Sequence, residues 1–184
     1  MTQPLLRIAI EHQWDGSAAR PDERTEVTLQ RIGSTWQIEV DAPFHDDPVP
    51  AVASGPTSGL WDFEVVELFL LAPREHYLEI ELGPHGHHLV LELQGRREIV
   101  RQGLAIDFDA QRTGGRWQGT ARVPDDLVPR GVARFNAYAI HGIGLERRYL
   151  AHCPTPGEAP DFHQLDGFVP LPAEMQARPT LTSS

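Results

Sequence analysis

Lysine is missing from this 184-residue chain, so its 16 basic residues are all arginine. A lysine nucleophile or Schiff base is therefore excluded. Cysteine is almost as scarce: the single Cys153 can neither close an internal disulfide nor build a thiolate zinc site alone. Asparagine occurs once, at Asn136. No stretch approaches the ~20 apolar residues of a membrane helix. The opening MTQPLLRIAIEHQWDG has no basic region followed by a long apolar run, which predicts a cytoplasmic protein. Positive charge is outweighed as well. A formal net charge of -10 argues against a nucleic-acid partner, which needs a basic surface, and against an anionic membrane.

Helical periodicity is also scarce, and what replaces it is alternation with period two. Leu6, Ile8 and Ile10 alternate with other residues, as do Val27 and Leu29, then Trp36, Ile38 and Val40. FEVVELFLL (63–71), RWQGTARVP (116–124) and ARFNAYAIHG (133–142) are further strands. The segments between them are rich in Gly, Pro and Asp, and 16 Gly with 16 Pro supply many turns. PDDLV (124–128) and PAEMQA (172–177) are the helix candidates. Many short strands with regular turn signals predict an all-β fold: an antiparallel β-sandwich, jelly-roll-like, with few or no helices. It would form one domain over 1–172, with a C-terminal tail at 173–184 that ends in RPTLTSS.

YLEIELGPHGHHLVLEL (77–93) reads as a hairpin. With Pro84-His85 as a two-residue turn, Leu82 opposes His87, Glu81 opposes His88 and Ile80 opposes Leu89. That register puts Leu78, Ile80 and Leu82 on one face with Leu89, Leu91 and Leu93. It also sets Glu81 against His88, which predicts a raised pKa for His88. In 63–71, Val66, Leu68 and Leu70 face the core, leaving Val65, Glu67 and Phe69 on the other side. In 117–123, Trp117, Ala121 and Val123 point in. In 133–141, Phe135, Ala137 and Ala139 do so.

One sheet face would then present Glu67, Phe69, Tyr77, Glu79, Glu81, Arg122, Asn136 and Tyr138 together. Carboxylates, a guanidinium and an amide suit the hydroxyls of a sugar, and a ring suits its apolar face. The alternative is an ordinary solvated sheet face.

LWDFEVVELFL, YLEIELGPHG, RWQGTARVP, RFNAYAIHG and PDFHQLDGF follow in an order that resembles carbohydrate-binding module family 9 and its DOMON-like relatives. The chain is more similar still to a family of small standalone bacterial and animal proteins with no assigned function. That pattern runs from EHQWDG (11–16) through APF (42–44) to PDFH (160–163). The resemblance implies a carbohydrate-binding sandwich with a ligand on its concave sheet. In those modules two tryptophans pinch a sugar. Trp61 matches one wall, whereas Trp14, Trp36 and Trp117 are placed for packing. Some members bind structural calcium. Asp15, Asp46 and Asp47 supply oxygens here, without EF-hand-like spacing. DOMON relatives bind haem through Met and His, but Met1 and Met175 are terminal.

The expected function is non-catalytic binding of a small polyhydroxylated, carbohydrate-like ligand. Trp61 and Tyr77 would stack on it. Glu67, Glu79, Glu81, Arg122 and Asn136 would hydrogen-bond to it, beside Tyr138. His85, His141, Asp161 and His163 would form the rim. Replacing Glu79 or Asn136 by Ala should then abolish ligand binding while the fold survives. No cofactor is expected, although the nine histidines, HGHH (85–88) among them, leave as the alternative an enzyme of unknown reaction that uses the histidine and carboxylate rim, with or without a divalent metal. Paired carboxylates raise glycoside hydrolysis, but an open sheet face would leave both acids ionised. A protein-interaction module that only presents loops is the remaining alternative.

Overall fold

The computed structural model describes residues 4–176, and RPTLTSS lies outside them. In chain order the strands are β1 (Leu5–Ile10), β2 (His12–Gln13), β3 (Thr25–Ile32), β4 (Thr35–Pro43), β5 (Gly55–Pro56), β6 (Val65–Ala72) and β7 (His76–Leu82). They continue as β8 (His87–Gln94), β9 (Ile99–Gln102), β10 (Asp107–Thr113), β11 (Arg116–Pro124), β12 (Arg134–His141), β13 (Arg148–Ala151) and β14 (Val169–Pro170). A single turn of α-helix, α1 (Ala173–Gln176), follows within the PAEMQA candidate, while 125–127 of PDDLV forms a turn.

Two sheets face each other. One has the order β1-β3-β4-β11-β10; the other runs β2-β13-β12-β6-β7-β8-β5, with β14 beside β12 and β9 beside β8. Pairing is antiparallel throughout, apart from the two-residue β5 alongside β8. The main core lies between the sheets. Ile8, Ile10, Val27, Leu29, Trp36, Ile38, Val40, Trp117, Ala121 and Val123 from one meet Val66, Leu68, Leu70, Leu78, Ile80, Phe135 and Ala137 from the other. These are the inward positions that period-two alternation marks. Met175 in α1 is buried in the same core and the Gln176 side chain donates to the Leu171 carbonyl, so the described part of the expected tail is packed.

The hairpin differs from its expected register by one residue. Leu82 pairs with His88, Glu81 with Leu89, Ile80 with Val90 and Glu79 with Leu91. The turn spans three residues, Pro84 to Gly86, closed by Gly83 N–H donating to His87 O (2.9 Å). Gly86 sits at φ +81°, a left-handed conformation that a glycine takes without a Cβ clash, and this lengthens the loop. A one-residue slip exchanges the two faces of a strand. Val90 and His88 therefore turn toward the sheet interface, while Leu89, Leu91 and Leu93 join Glu79 and Glu81 on the outer face. His88 faces Phe108 edge-on at 5.9 Å, with no hydrogen bond of good geometry on either ring nitrogen. Burial lowers its pKa, opposite to the rise expected from a Glu81 neighbour.

The outer face of the larger sheet is not solvated. A second apolar cluster covers it: Leu60 and Phe63 from the segment before β6, Tyr149 from β13, and Phe162, Leu165 and Phe168 from the return segment 153–168. All of β6 is consequently buried.

Candidate functional site

Three glutamates form the floor of this covered face. Glu67 on β6 stands opposite Glu81 on β7, and Glu79 lies two residues along β7 on the same side. Opposed residues on neighbouring strands have Cβ atoms about 5 Å apart. All three side chains are buried. The sequence is what puts them there: the E-x-E of YLEIEL and the lone Glu of VVELFL fall in the out-phase of strands whose in-phase is apolar.

A pocket of about 370 Å³ opens above the floor. Glu67 and Glu79 line its base, with Leu91, Leu93, Ile99 and Ile140; Trp61, Tyr149, Phe162, Pro160, His163 and Arg97 line its sides. Trp61 is 43% exposed at the mouth, held by Arg147, which donates to the Trp61 carbonyl at 2.6 Å.

The electrostatics follow from burial. Desolvation pushes the Glu79 carboxyl up to about 8 and raises Glu67 and Glu81 well above the usual carboxylate range. Their mutual repulsion adds to the rise for Glu67 and Glu81. The two Glu81 oxygens and Glu79 Oε2 accept no hydrogen bond of good geometry from a donor group of the protein, and Glu81 and Glu79 lie within hydrogen-bond reach of each other. A protonated Glu81 therefore donates to Glu79. Burial also keeps His163 neutral, its pKa lowered to about 4, and holds the Tyr77 hydroxyl protonated at about 12.

These groups form a relay. Arg97 N–H donates to the Tyr77 oxygen (3.1 Å), and the Tyr77 hydroxyl bonds His163 Nδ1 (2.7 Å). Since the hydroxyl carries a proton, this network assigns the imidazole proton to Nε2. That atom is 3.9 Å from Glu79 Oε2.

The structure brings together only some of the residues that the sequence nominates. Trp61, Glu67, Glu79 and His163 line the pocket, and Glu81 lies beside Glu79 and Glu67 in the floor. Asp161 sits one step out, accepting from Arg97 at 2.6 Å and from the His163 N–H at 3.0 Å. Tyr77 is fully buried, so its ring offers no free face for stacking and only its hydroxyl serves the site. Tyr138 is buried beneath Phe162, stacked at 3.9 Å. Asn136 has its amide committed: Nδ2 donates to the Tyr138 hydroxyl and the Cys153 carbonyl, and Oδ1 accepts from the N–H groups of Ala137 and Cys153.

Three expected residues lie elsewhere. Arg122 points to solvent on β11, in the opposite sheet, because alternation fixes the face of a strand but not which sheet it joins. His85 sits at the hairpin turn, edge-on to Phe44 at 5.6 Å. His141 stacks on His45 at 3.6 Å and bonds Glu23 at 3.2 Å. Glu23, although buried, is held below the usual carboxylate range by Arg148 and the Arg20 N–H. That cluster is a staple between segments distant in sequence. Sequence reasoning did not single out Arg97, Tyr149 and Phe162; only Phe162 carried a signal, as the Phe of PDFH. Among the described residues no group of His, Cys, Asp and Glu is arranged to hold a metal ion, and the calcium-type oxygens of Asp15, Asp46 and Asp47 do not form one.

No family model matches the chain. It is 44% identical over 175 residues to the UPF0462 protein C4orf33 homolog of Mus musculus, covering 90% of this chain and 91% of that protein. It is 42% identical over 172 residues to UPF0462 protein C4orf33 of Homo sapiens (89% and 86% covered) and 39% identical over 168 to the Danio rerio homolog (86% and 85%). Among solved structures, a proposed carbohydrate-binding protein from Bacteroides uniformis superposes with a TM-score of 0.65 at 16% identity, covering 90% of this chain and 84% of the other. A carbohydrate binding module family 9 from Caldicellulosiruptor kristjanssonii, solved with cellotriose, gives a TM-score of 0.52 at 11% identity, covering 81% and 73%. At such identities the likeness is one of fold. The chain belongs to the UPF0462 family and folds as a β-sandwich of the carbohydrate-binding type.

Proposed function

We propose that the protein binds a small polyhydroxylated, carbohydrate-like ligand in the pocket over Glu67 and Glu79, without chemistry on it. The observation that carries this is the composition of the pocket: a floor of buried carboxyls between aromatic walls at Trp61, Tyr149 and Phe162. A protonated carboxyl both donates and accepts, as a hydroxyl does, so the floor complements a polyol in either sense. Trp61 supplies an accessible ring for an apolar sugar face. A volume of about 370 Å³ is at the low end for ligand pockets and favours a small molecule over a polymer. The fold shared with carbohydrate-binding structures supports the same class.

The test is a tryptophan-fluorescence titration with mono- and disaccharides. Trp36 and Trp117 are buried and Trp14 is half-buried outside the pocket lining, so the quenching that Trp61→Ala removes is the part that reports on Trp61. Trp61→Ala, followed by calorimetry because it removes the reporter, is expected to weaken binding about tenfold, in line with the loss of one aromatic contact. No saturable response to any sugar tested would reject the proposal.

One observation favours a second function. The walls over the sheet keep Glu67 and Glu79 out of water and raise their pKa, the condition that a glycosidase acid needs. Nitrophenyl glycosides test this directly. Release of nitrophenol that Glu79→Gln removes would establish hydrolysis; no release is expected if the pocket only binds.

A further inference from the structure

The pocket holds more acceptors than donors, and its cations are engaged elsewhere. Arg97 gives its guanidinium to Asp161 at 2.6 Å. Arg147 spends its N–H groups on the carbonyls of Trp61, Asp62 and Gly142. His163 has Nδ1 tied to Tyr77, and its Nε2 stops 3.9 Å short of Glu79. Glu79 lines the pocket at 4% exposure, with Oε2 buried and accepting from no N–H group of the protein. Glu67, also on the pocket wall, is 2% exposed. Burying carboxyls without a bonded cation costs stability; the charges of Arg97 and Arg147 act on Glu79 and Glu67 from a distance but do not offset burial, and Glu81 is a third buried carboxyl. The group that such a floor lacks is a compact cation with several N–H donors.

We propose that the ligand carries a primary ammonium on its polyhydroxylated framework, as an amino sugar or amino polyol does, and that this ammonium seats against Glu79 and Glu67. The inference rests on the polyol-binding function proposed above and names its ligand class. An ammonium provides three donors and the opposite charge, so each contact to a carboxylate is charge-assisted. The ring of Trp61 beside it favours a cation as well, whereas the Tyr149 ring already carries the Arg147 guanidinium at 5.8 Å. Because the free floor retains protons at neutral pH, seating a cation there drives a carboxyl to ionise, and the proton leaves to solvent. Arg97, Arg147 and neutral His163 face the same space and stay as they are, their partners being internal to the protein.

Calorimetry on the intact protein with matched pairs tests this: glucosamine against glucose, galactosamine against galactose, glucamine against sorbitol. Each is run at pH 7 in two buffers of different ionisation enthalpy, and N-acetylglucosamine is included. The amine member is expected to bind about tenfold tighter or more, the margin of a charge-assisted over a neutral hydrogen bond. Its binding should release close to one proton, and acetylation should erase the preference. Glu79→Gln, checked for folding by circular dichroism, should narrow the amine-to-hydroxyl ratio and reduce the proton release. Equal affinities within every pair would overturn the ammonium while leaving polyol binding intact. An amine preference without proton release would remove the protonated floor as its seat. Silence from every compound would sink both this inference and the function beneath it.

Discussion

Asn136→Ala is expected to destabilise the protein by about 3–4 kcal/mol, with part of the loss falling on the pocket wall. The side chain is fully buried and makes four hydrogen bonds of 2.8–3.0 Å. Two of them grip the N–H and C=O of Cys153, beyond the last β12–β13 pair at Tyr138 and Ala151. The amide thus stands in for a strand residue where the ladder has ended. It pins the start of the segment that carries Phe162 and His163 into the pocket. Alanine leaves a cavity and several orphaned backbone groups. Asn136→Asp keeps the shape but turns a donor into an acceptor facing the Cys153 carbonyl, and should cost at least as much at pH 7. Urea denaturation measures both. A loss below about 1 kcal/mol for alanine would mean that water replaces the amide without penalty. The expectation that Asn136→Ala removes only ligand binding therefore does not hold: its amide has no bond left for a ligand.

Stability is expected to fall as pH rises from 6.5 to 8, and Glu81→Gln should flatten that slope. The sign follows from the floor. Glu67, Glu79 and Glu81 have folded-state pKa values raised above those of the unfolded chain, with burial as the first cause. Their favourable contribution is complete below about pH 4.3 and is lost as pH climbs through the folded values. Each proton that the folded state keeps and the unfolded state has released gives a slope of about 1.4 kcal/mol per pH unit. Glu64, raised to about 7 by burial, adds at the lower edge of this window.

The histidines act on the other side. His141 and His163, lowered to about 4, and His45, His85 and His88, also lowered by burial, gain stability as pH rises through about 6.5, which offsets part of the fall at the lower edge of the window; Glu81→Gln shares these histidines, so the difference in slope between the two proteins isolates the floor. Cys153 is raised too, which is why the window stops at pH 8. The new glutamine amide can still donate to Glu79, so the substitution removes a titrating group and keeps the hydrogen bond. Denaturation at four pH values in each protein would show it. Equal slopes in wild type and Glu81→Gln would place the retained proton on another residue.

Much of the architecture was legible because alternation is a local property. The inward residues of β6, β11 and β12 follow from which positions are apolar, and the core contains them. Glu67, Glu79 and Glu81 share a face for the same reason. The hairpin could not be phased this way. HHLVLEL is apolar enough on both sides that pattern cannot choose, and the choice fell to one glycine in the turn. Arg122 was misplaced because phase says nothing about which sheet a strand enters.

By itself, then, the sequence determined a lysine-free, acidic, all-β chain, the faces of most of its strands and the carboxyls that share one of them. Tertiary structure decided whether that face was a surface or an interior. Residues 153–168 have no period that predicts where they lie. Their fold over the sheet depends on Asn136 holding Cys153, on Phe162 stacking on Tyr138 and on Arg97 reaching Asp161. These contacts join residues 17 to 64 positions apart, which no local pattern encodes. That cover removes water from three glutamates, and the removal of water turns an ordinary polar sheet face into a protonated, ligand-sized pocket.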